Sequence, residues 1–377
     1  MQSVITNPFY LYSIIWSFTL VLYKIHYIKV FPRLSTSLLI FFCITIIFST
    51  LLGYKLNKSI KKFYVVEKKE DSILFYFILL GWILTFIYEG KIPLFEILRK
   101  TGYRYVDFKG IPTMSALIWT LTGYHNLRSF SQFVIFKKYK YLIYVIIEII
   151  CYLLIYRRGP ILILILLNFM AYMNLKKINY LVIKCVIGMG LLLYVFGILG
   201  NIRHGFSYFD TSMLKYLLNL KTPDSIVDPF LWSYIYITSP LSNLQYILDC
   251  NDIHYNILEF IRSNMFFDFI AKRIMVFKES NTNLLIEQFN VQTGYSEALK
   301  NLGITGMYII YIYYNTLSYI YIKFMKNTSY LLEVICLISV ANILFIFDNM
   351  YTNSALGITL LYPLFFYINS EYIRRKK

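Results

Sequence analysis

Two adjacent arginines, Arg157 and Arg158, stand in the segment YRRGP just before a long apolar run. Gly159 and Pro160 mark a turn and the start of a helix. Guanidinium groups at a helix N-terminus make an anion site, because the planar fork matches phosphate oxygens and the helix dipole adds to it. The competing reading is a solvated turn whose arginines snorkel to water. A second cationic pair, Arg203 and His204, follows Gly200 in GNIRHGF. Farther on, Ile257, Phe260, Ile261, Met265, Phe269 and Ile270 are spaced as one face of an amphipathic helix, with Arg262, Lys272 and Arg273 along it. The plainer role for those cations is a polar helix face near lipid headgroups. Three side chains can serve as a base for a hydroxyl proton, namely His204, His254 and Asp268, and nothing in the sequence selects among them.

Other chemistries find no support. The four histidines are scattered, and no Cys/His cluster has metal-ligand spacing, so no metal is expected. No phosphate-binding glycine loop, dinucleotide fingerprint or nucleophile elbow occurs, so no cofactor and no direct use of ATP are expected. Cys43, Cys151, Cys185 and Cys336 lie in apolar runs and only Cys250 lies outside them, which leaves no disulfide framework.

The elements that must carry these residues are apolar helices. A hydrophobic fraction of 58% and a mean hydropathy of +0.58 exceed what a soluble domain carries. A span needs about 20 mostly apolar residues. Ten stretches qualify or nearly qualify: 8–23, 36–54, 72–89, 112–136, 141–156, 160–175, 178–199, 304–324, 330–347 and 354–369. Segment 231–248 is a candidate eleventh. The expected fold is an all-α polytopic membrane protein of about ten transmembrane helices, with one large periplasmic loop holding short amphipathic helices. Its parts are an N-terminal bundle of about seven helices over 1–200, the loop over 201–303, and about three helices with a basic tail over 304–377. His125, Arg128 and Glu148 fall inside spans, where a charge is costly unless it faces a polar interior.

Basic residues orient the chain. With both ends cytoplasmic, the short cytoplasmic loops and tail hold 17 Lys and Arg residues and the opposite short loops hold 10. That bias puts the large loop outside. The loop itself carries 8 basic and 10 acidic residues, so the net charge of +17 lies elsewhere. The excess reads as topology signal and contact with anionic lipid. Nucleic acid is not an expected partner, because no basic patch sits on a soluble fold. The abundant Tyr (37) and Phe (31) can stack on sugar rings, but their simpler use is at membrane interfaces.

Three segments carry a resemblance. GKIPLF…TGYRYVDFKGIP follows an early helix, YRRGPILILILL follows later, and NVQTGYSEALKNLGITG leads from the long loop into a late helix. Together they resemble the Wzy-type O-antigen polymerases, which join oligosaccharide repeat units. Thr293, Tyr295, Leu302, Gly303 and Gly306 form the T-x-Y-x₆-L-G-x-x-G arrangement that is similar to that family's loop-to-helix junction. The resemblance implies a nucleotide-independent glycosyltransferase at the periplasmic face of the bacterial inner membrane. Its partners would be an undecaprenyl-diphosphate-linked oligosaccharide, the bilayer, a chain-length regulator and a flippase.

On that reading, negative charge grows on a diphosphate as a glycosyl C1–O bond breaks. Cations aimed at that charge stabilise the transition state. Arg157, Arg158, Arg203 and His204 are the expected catalytic residues, and Arg273, Tyr295 and His254 the expected substrate contacts. An O-antigen ligase would share the loop plan and the arginines. A lipid-linked oligosaccharide flippase would bind the same diphosphate but would have short loops and a repeated bundle. A general transporter should show paired broken helices, and the sequence displays none.

Overall fold

The computed structural model describes residues 6–59, 63, 65–67, 70–99, 101–104, 107–176, 212–220, 230–274, 284–286 and 288–376, and the isolated positions 190, 194, 197, 198, 201, 207 and 210. Among the described residues all regular structure is helical. Two helices are long and apolar enough by themselves to cross a membrane, Thr36–Lys58 and Asp71–Glu89. Most of the expected span 178–199 lies outside the described residues.

The chain begins with a tight pair, α1 (Pro8–Lys24) and α2 (Thr36–Ser59). Asn7 caps α1 by accepting from the Phe9 N–H at 3.0 Å. Its amide also donates to Gly53 O at 2.9 Å, which ties the start of α1 to the far half of α2. Pro8 occupies the first helical position, where its missing N–H costs nothing. A second group follows: α3 (Glu70–Glu89), α4 (Pro93–Leu98), α5 (Met114–Phe136), α6 (Tyr139–Leu154) and α7 (Arg158–Leu175). Helix α5 is its hub and packs on α3, α6 and α7.

Long-range bonds sort the connections onto two ends. Glu67 pairs with Lys138 at 2.6 Å and Lys140 at 3.3 Å, so the α2–α3 and α5–α6 connections share one end, the basic end. These partners hold the Glu67 carboxyl down at about 2, the Lys138 bond first and the Tyr141 hydroxyl next. At the other end, the site end, Arg157 donates to Phe108 O at 2.9 Å and Ser35 N donates to Gln245 at 2.7 Å.

The charges inside α5 face a polar interior in which each is paired. His125 Nδ1 meets Glu148 Oε1 at 2.5 Å, and His125 Nε2 meets Asp71 O at 2.9 Å. Arg128 bridges Asp71 (2.7 Å) and Glu333 (3.4 Å), and Gln132 donates to Asp71 at 2.5 Å. Asn126 donates to Glu148 at 2.9 Å. All of these side chains are buried. A buried charge persists only when paired and hydrogen-bonded, and here four helices supply the partners.

The long segment is ordered where described. It contains α8 (Ser212–Leu217), α9 (Phe230–Asp249), α10 (Ile257–Met265) and α11 (Asp268–Ile274). Helix α9 is the candidate eleventh span, and the structure corrects that reading. Tyr234 OH accepts from the Tyr27 N–H at 3.4 Å, while Gln245 accepts from Ser35, so both halves of α9 touch the α1–α2 connection. It lies across the site end, apolar because protein covers it. The expected single amphipathic helix around Phe260 is two, interrupted at Phe266 and Phe267. There the Asp268 N–H leaves the helical ladder to bond Thr352 O at 3.0 Å.

The remaining helices are α12 (Ser296–Met325), α13 (Leu331–Leu344), α14 (Ser354–Thr359) and α15 (Tyr362–Lys376). Gly303 breaks α12, with φ 66° and ψ −158°. Residues 296–302 and 304–325 therefore form a hairpin. Phe41 touches both Tyr295 and Tyr308, at ring separations of 4.9 and 4.8 Å, so those two positions lie at one height on opposite arms. The N–H groups of His254 and Asn256 cap the short arm through Lys300 O and Asn301 O. The expected last span, 354–369, is also broken, at Leu360 and Leu361. Pro363 lacks the N–H that would continue the ladder from α14.

Candidate functional site

A cavity of about 220 Å³ opens between α5, α6, α7 and α14 at the site end. Its wall is almost wholly apolar and includes Trp119, Gly123, Tyr152, Pro160, Leu164 and Leu356. Among the described residues, Arg157 is the one charged residue on it. Arg157 caps α7 with extended backbone, φ −96° and ψ 113°, which throws its side chain back over the start of α5. The guanidinium donates to Phe108 O and lies 4.8 Å from the Trp119 ring. A guanidinium bonded to a carbonyl and laid against an aromatic face keeps its fork in one orientation. The volume is below the roughly 300–1,000 Å³ that encloses a drug-sized molecule. It fits part of a longer amphiphile, an apolar tail with an anionic head at the guanidinium.

The turn between α13 and α14 forms the other side of this region. Ser354 and Ala355 line the cavity. One residue earlier, Asn353 donates to Asp348 Oδ2 at 2.8 Å, and Asn349 N donates to Asp348 Oδ1 at 2.7 Å. Asp268, the first residue of α11, is fastened to the same turn. Its N–H goes to Thr352 O at 3.0 Å. Burial pushes the Asp268 carboxyl up to about 6, and the neighbouring Asp348 charge adds to the rise; Lys272 and the Ser354 N–H pull the other way. A carboxyl at that point can hold or release a proton near neutral pH.

A polar seam runs behind the turn. Tyr314 OH donates to Asn264 O and accepts from Asn349 Nδ2 at 2.8 Å. Tyr351 stacks on Tyr314 at 4.4 Å and donates to Asn342 Oδ1 at 2.7 Å. Among the described residues, no three His, Cys, Asp or Glu side chains gather as a metal ion would need.

The sequence-derived residues separate. Arg157 stands on the cavity. Arg273 is exposed at the same end, with its ring partner Phe269 at 5.9 Å and a 3.3 Å bond to Thr113, the residue before α5. Tyr295 is buried between α1, α2 and α12, against Trp16, Phe41, Phe42 and Phe345. His254 is exposed over the short arm of α12 and pairs with Asp252 at 3.2 Å. Neither Tyr295 nor His254 lines the cavity. Arg203, His204 and the side chain of Arg158 lie outside the described residues. Sequence reasoning missed Trp119, Asp348 and the 348–355 turn. The polar run DNMYTNS between two apolar stretches was the available signal.

No family model matches the chain, and neither a curated protein nor a solved structure matches it.

Proposed function

We propose that this chain polymerises oligosaccharide units carried on undecaprenyl diphosphate, in a bacterial inner membrane. The observation that carries the reading is Arg157 fixed at the rim of an otherwise apolar cavity. A polyprenyl diphosphate needs that combination of a hydrocarbon slot beside a cation. When the glycosyl C1–O bond breaks, charge develops on the diphosphate, and a preoriented guanidinium in a poorly solvated site stabilises it. Arg158, Arg203, His204 and Arg273 are the further cations of this reading. It needs no nucleotide, since the sugar diphosphate is itself activated.

Exposed apolar surface supports the membrane part. On α2 the exposed residues include Ile40, Ile47, Phe48 and Leu51, and on α3 Ile73, Leu80, Ile83 and Ile87. Helix α12 exposes Ile309, Ile312, Leu317, Ile320 and Phe324. A helix facing water would present polar residues there. In the proposed arrangement the ten stretches span the bilayer, the basic end is cytoplasmic, and the site end is periplasmic. Broken helices and re-entrant backbone are tolerated at such depth where protein covers them.

Deletion of the gene in its bacterium tests the reading. The expected surface glycan is a single repeat unit on its acceptor. A bare acceptor would make the protein a ligase, and unchanged long-chain ladders would overturn both.

A further inference from the structure

The transfer proposed above also needs a proton acceptor, and three residues competed for that role in the sequence. The structure describes two of them, His254 and Asp268. His254 is exposed, paired with Asp252, and packed over the short arm of α12. His204 lies outside the described residues. Asp268 is tied to the turn 352–354 through its N–H, which donates to Thr352 O. The next residues of that turn line the cavity on which Arg157 stands. Asp268 is thus fastened to the turn whose next residues share a cavity wall with Arg157.

We propose that Asp268 is the base that deprotonates the acceptor sugar hydroxyl, an assignment that rests on the lipid-linked glycosyl transfer proposed above. The hydroxyl proton passes to an Asp268 carboxylate oxygen as the acceptor oxygen bonds to the anomeric carbon. The bond from that carbon to the diphosphate oxygen breaks, and its electron pair leaves with the diphosphate, whose charge Arg157 meets. The Asp268 proton then goes to water. Asp348 is the neighbour and not the base, because both its oxygens are engaged by Asn349 and Asn353.

Two further features fit a sugar on this side. Asn264, four residues before Asp268, is fully buried, yet its Oδ1 accepts no hydrogen bond among the described residues. An unspent buried acceptor is costly unless a ligand hydroxyl or water satisfies it. Tyr314 links it to the carboxylate, bonding Asn264 O and lying within electrostatic reach of Asp268. Among the described residues, the charged and titratable groups facing Asp268 are Asp348, Lys272 and Tyr314. Burial first and then the Asp348 charge raise its proton affinity, Lys272 lowers it, and the balance falls at about 6, where a base works efficiently near neutral pH.

The test uses the full-length protein in membrane vesicles, with lipid-linked single units extracted from the deletion strain as substrate. Asp268→Asn should lower polymer formation by at least about 10²-fold, the scale of a lost general base. It should keep wild-type affinity for farnesyl diphosphate, the binding probe. Wild-type rates should rise with pH through about 6. Asp348→Asn should move that limb to lower pH, because it removes the like charge. If Asp268→Asn polymerises like wild type, the assignment falls while the polymerase reading stands. If Asp268→Asn does not accumulate, the Asp348→Asn profile decides, and an unmoved limb overturns the assignment. If the wild-type protein makes no polymer from these units, the polymerase reading fails and takes the assignment with it.

Discussion

The hydroxyls of Tyr12 and Tyr295 lie 2.6 Å apart, though 283 positions separate them. Both rings are buried, so this bond fastens α1 to the foot of the α12 hairpin. Tyr12→Phe leaves the Tyr295 hydroxyl with its partner gone, at a cost of about 1–3 kcal/mol. Removing both hydroxyls should cost less than the two single changes summed. Thermal unfolding followed by tryptophan fluorescence, on both single variants and the double, measures this coupling. Strict additivity would show that the contact carries no pairing energy.

The hairpin depends on two glycines for different reasons. Gly303 adopts φ 66° and ψ −158°, a region nearly closed to other residues, and Gly303→Ala should cost about 1–3 kcal/mol. At Gly306 a Cβ would meet Ala298 O at 2.4 Å, and backbone cannot yield as a side chain can. Gly306→Val should therefore push the short arm off 304–325 and lower activity, with Arg157 untouched. Polymer and membrane-inserted protein are measured together for Gly303→Ala and Gly306→Val. Wild-type values for both would mean that close packing at this junction is not required.

Arg128 is the only described cation bonded to the buried carboxylates Asp71 and Glu333. Arg128→Ala removes the cation between them, and breaking a buried ion pair from one side typically costs about 3–5 kcal/mol. The triple variant Arg128→Met, Asp71→Asn, Glu333→Gln removes the charges with their partner and should recover most of that loss. Detergent-solubilised protein assayed by protease resistance against temperature ranks the three forms. A triple variant no better than Arg128→Ala would place the cost in packing.

Asp268 should weaken the fold it serves. Its folded pKa, about 6, lies above the ordinary 3.8, so the folded state binds the proton more tightly. The associated stability is fully present below about 3.8 and is lost as pH rises to about 6. Asp268→Asn, which cannot ionise, should unfold at a higher temperature than wild type at pH 7.5. Near pH 3.5 the difference should vanish. A gap that is the same at both values would remove ionisation as its source.

Filling the cavity should block the lipid without touching the arginine. A Cβ at Gly123 meets only Thr359, at 3.8 and 4.0 Å, so Gly123→Leu can place its branch in the open space. Farnesyl diphosphate affinity should fall at least about tenfold, a loss of about 1.4 kcal/mol. Arg157→Ala should lose at least as much, and Arg157→Lys should recover only part, because an ammonium lacks the planar fork. Unchanged affinity in Gly123→Leu would exclude this cavity as the tail site.

Most helices were legible in the sequence, because an apolar run with a capping residue or proline at its start has few alternatives. Asn7–Pro8, Arg157–Gly159 and the run after Thr36 each mark a helix that begins within two residues of its expected start. Helix α9 was misread for the reason that hydropathy reports burial and not what does the burying. A helix covered by its own protein and one covered by lipid look alike along the chain.

The site was legible only in part. Arg157 was visible because two arginines before Gly-Pro announce themselves locally. Asp268 was one acid among ten in its segment, and its environment comes from residues 80 or more positions away, Asp348 and Ser354. Composition and periodicity determined that the chain is helical and rich in apolar faces, since propensity and hydrophobic period act within a few turns. Which carboxyl is fastened to the turn beside the Arg157 cavity, and which tyrosine pins the hairpin, was decided by the tertiary structure. Those contacts join distant segments, and their energies come from burial and charge pairing that exist only once the helices have packed.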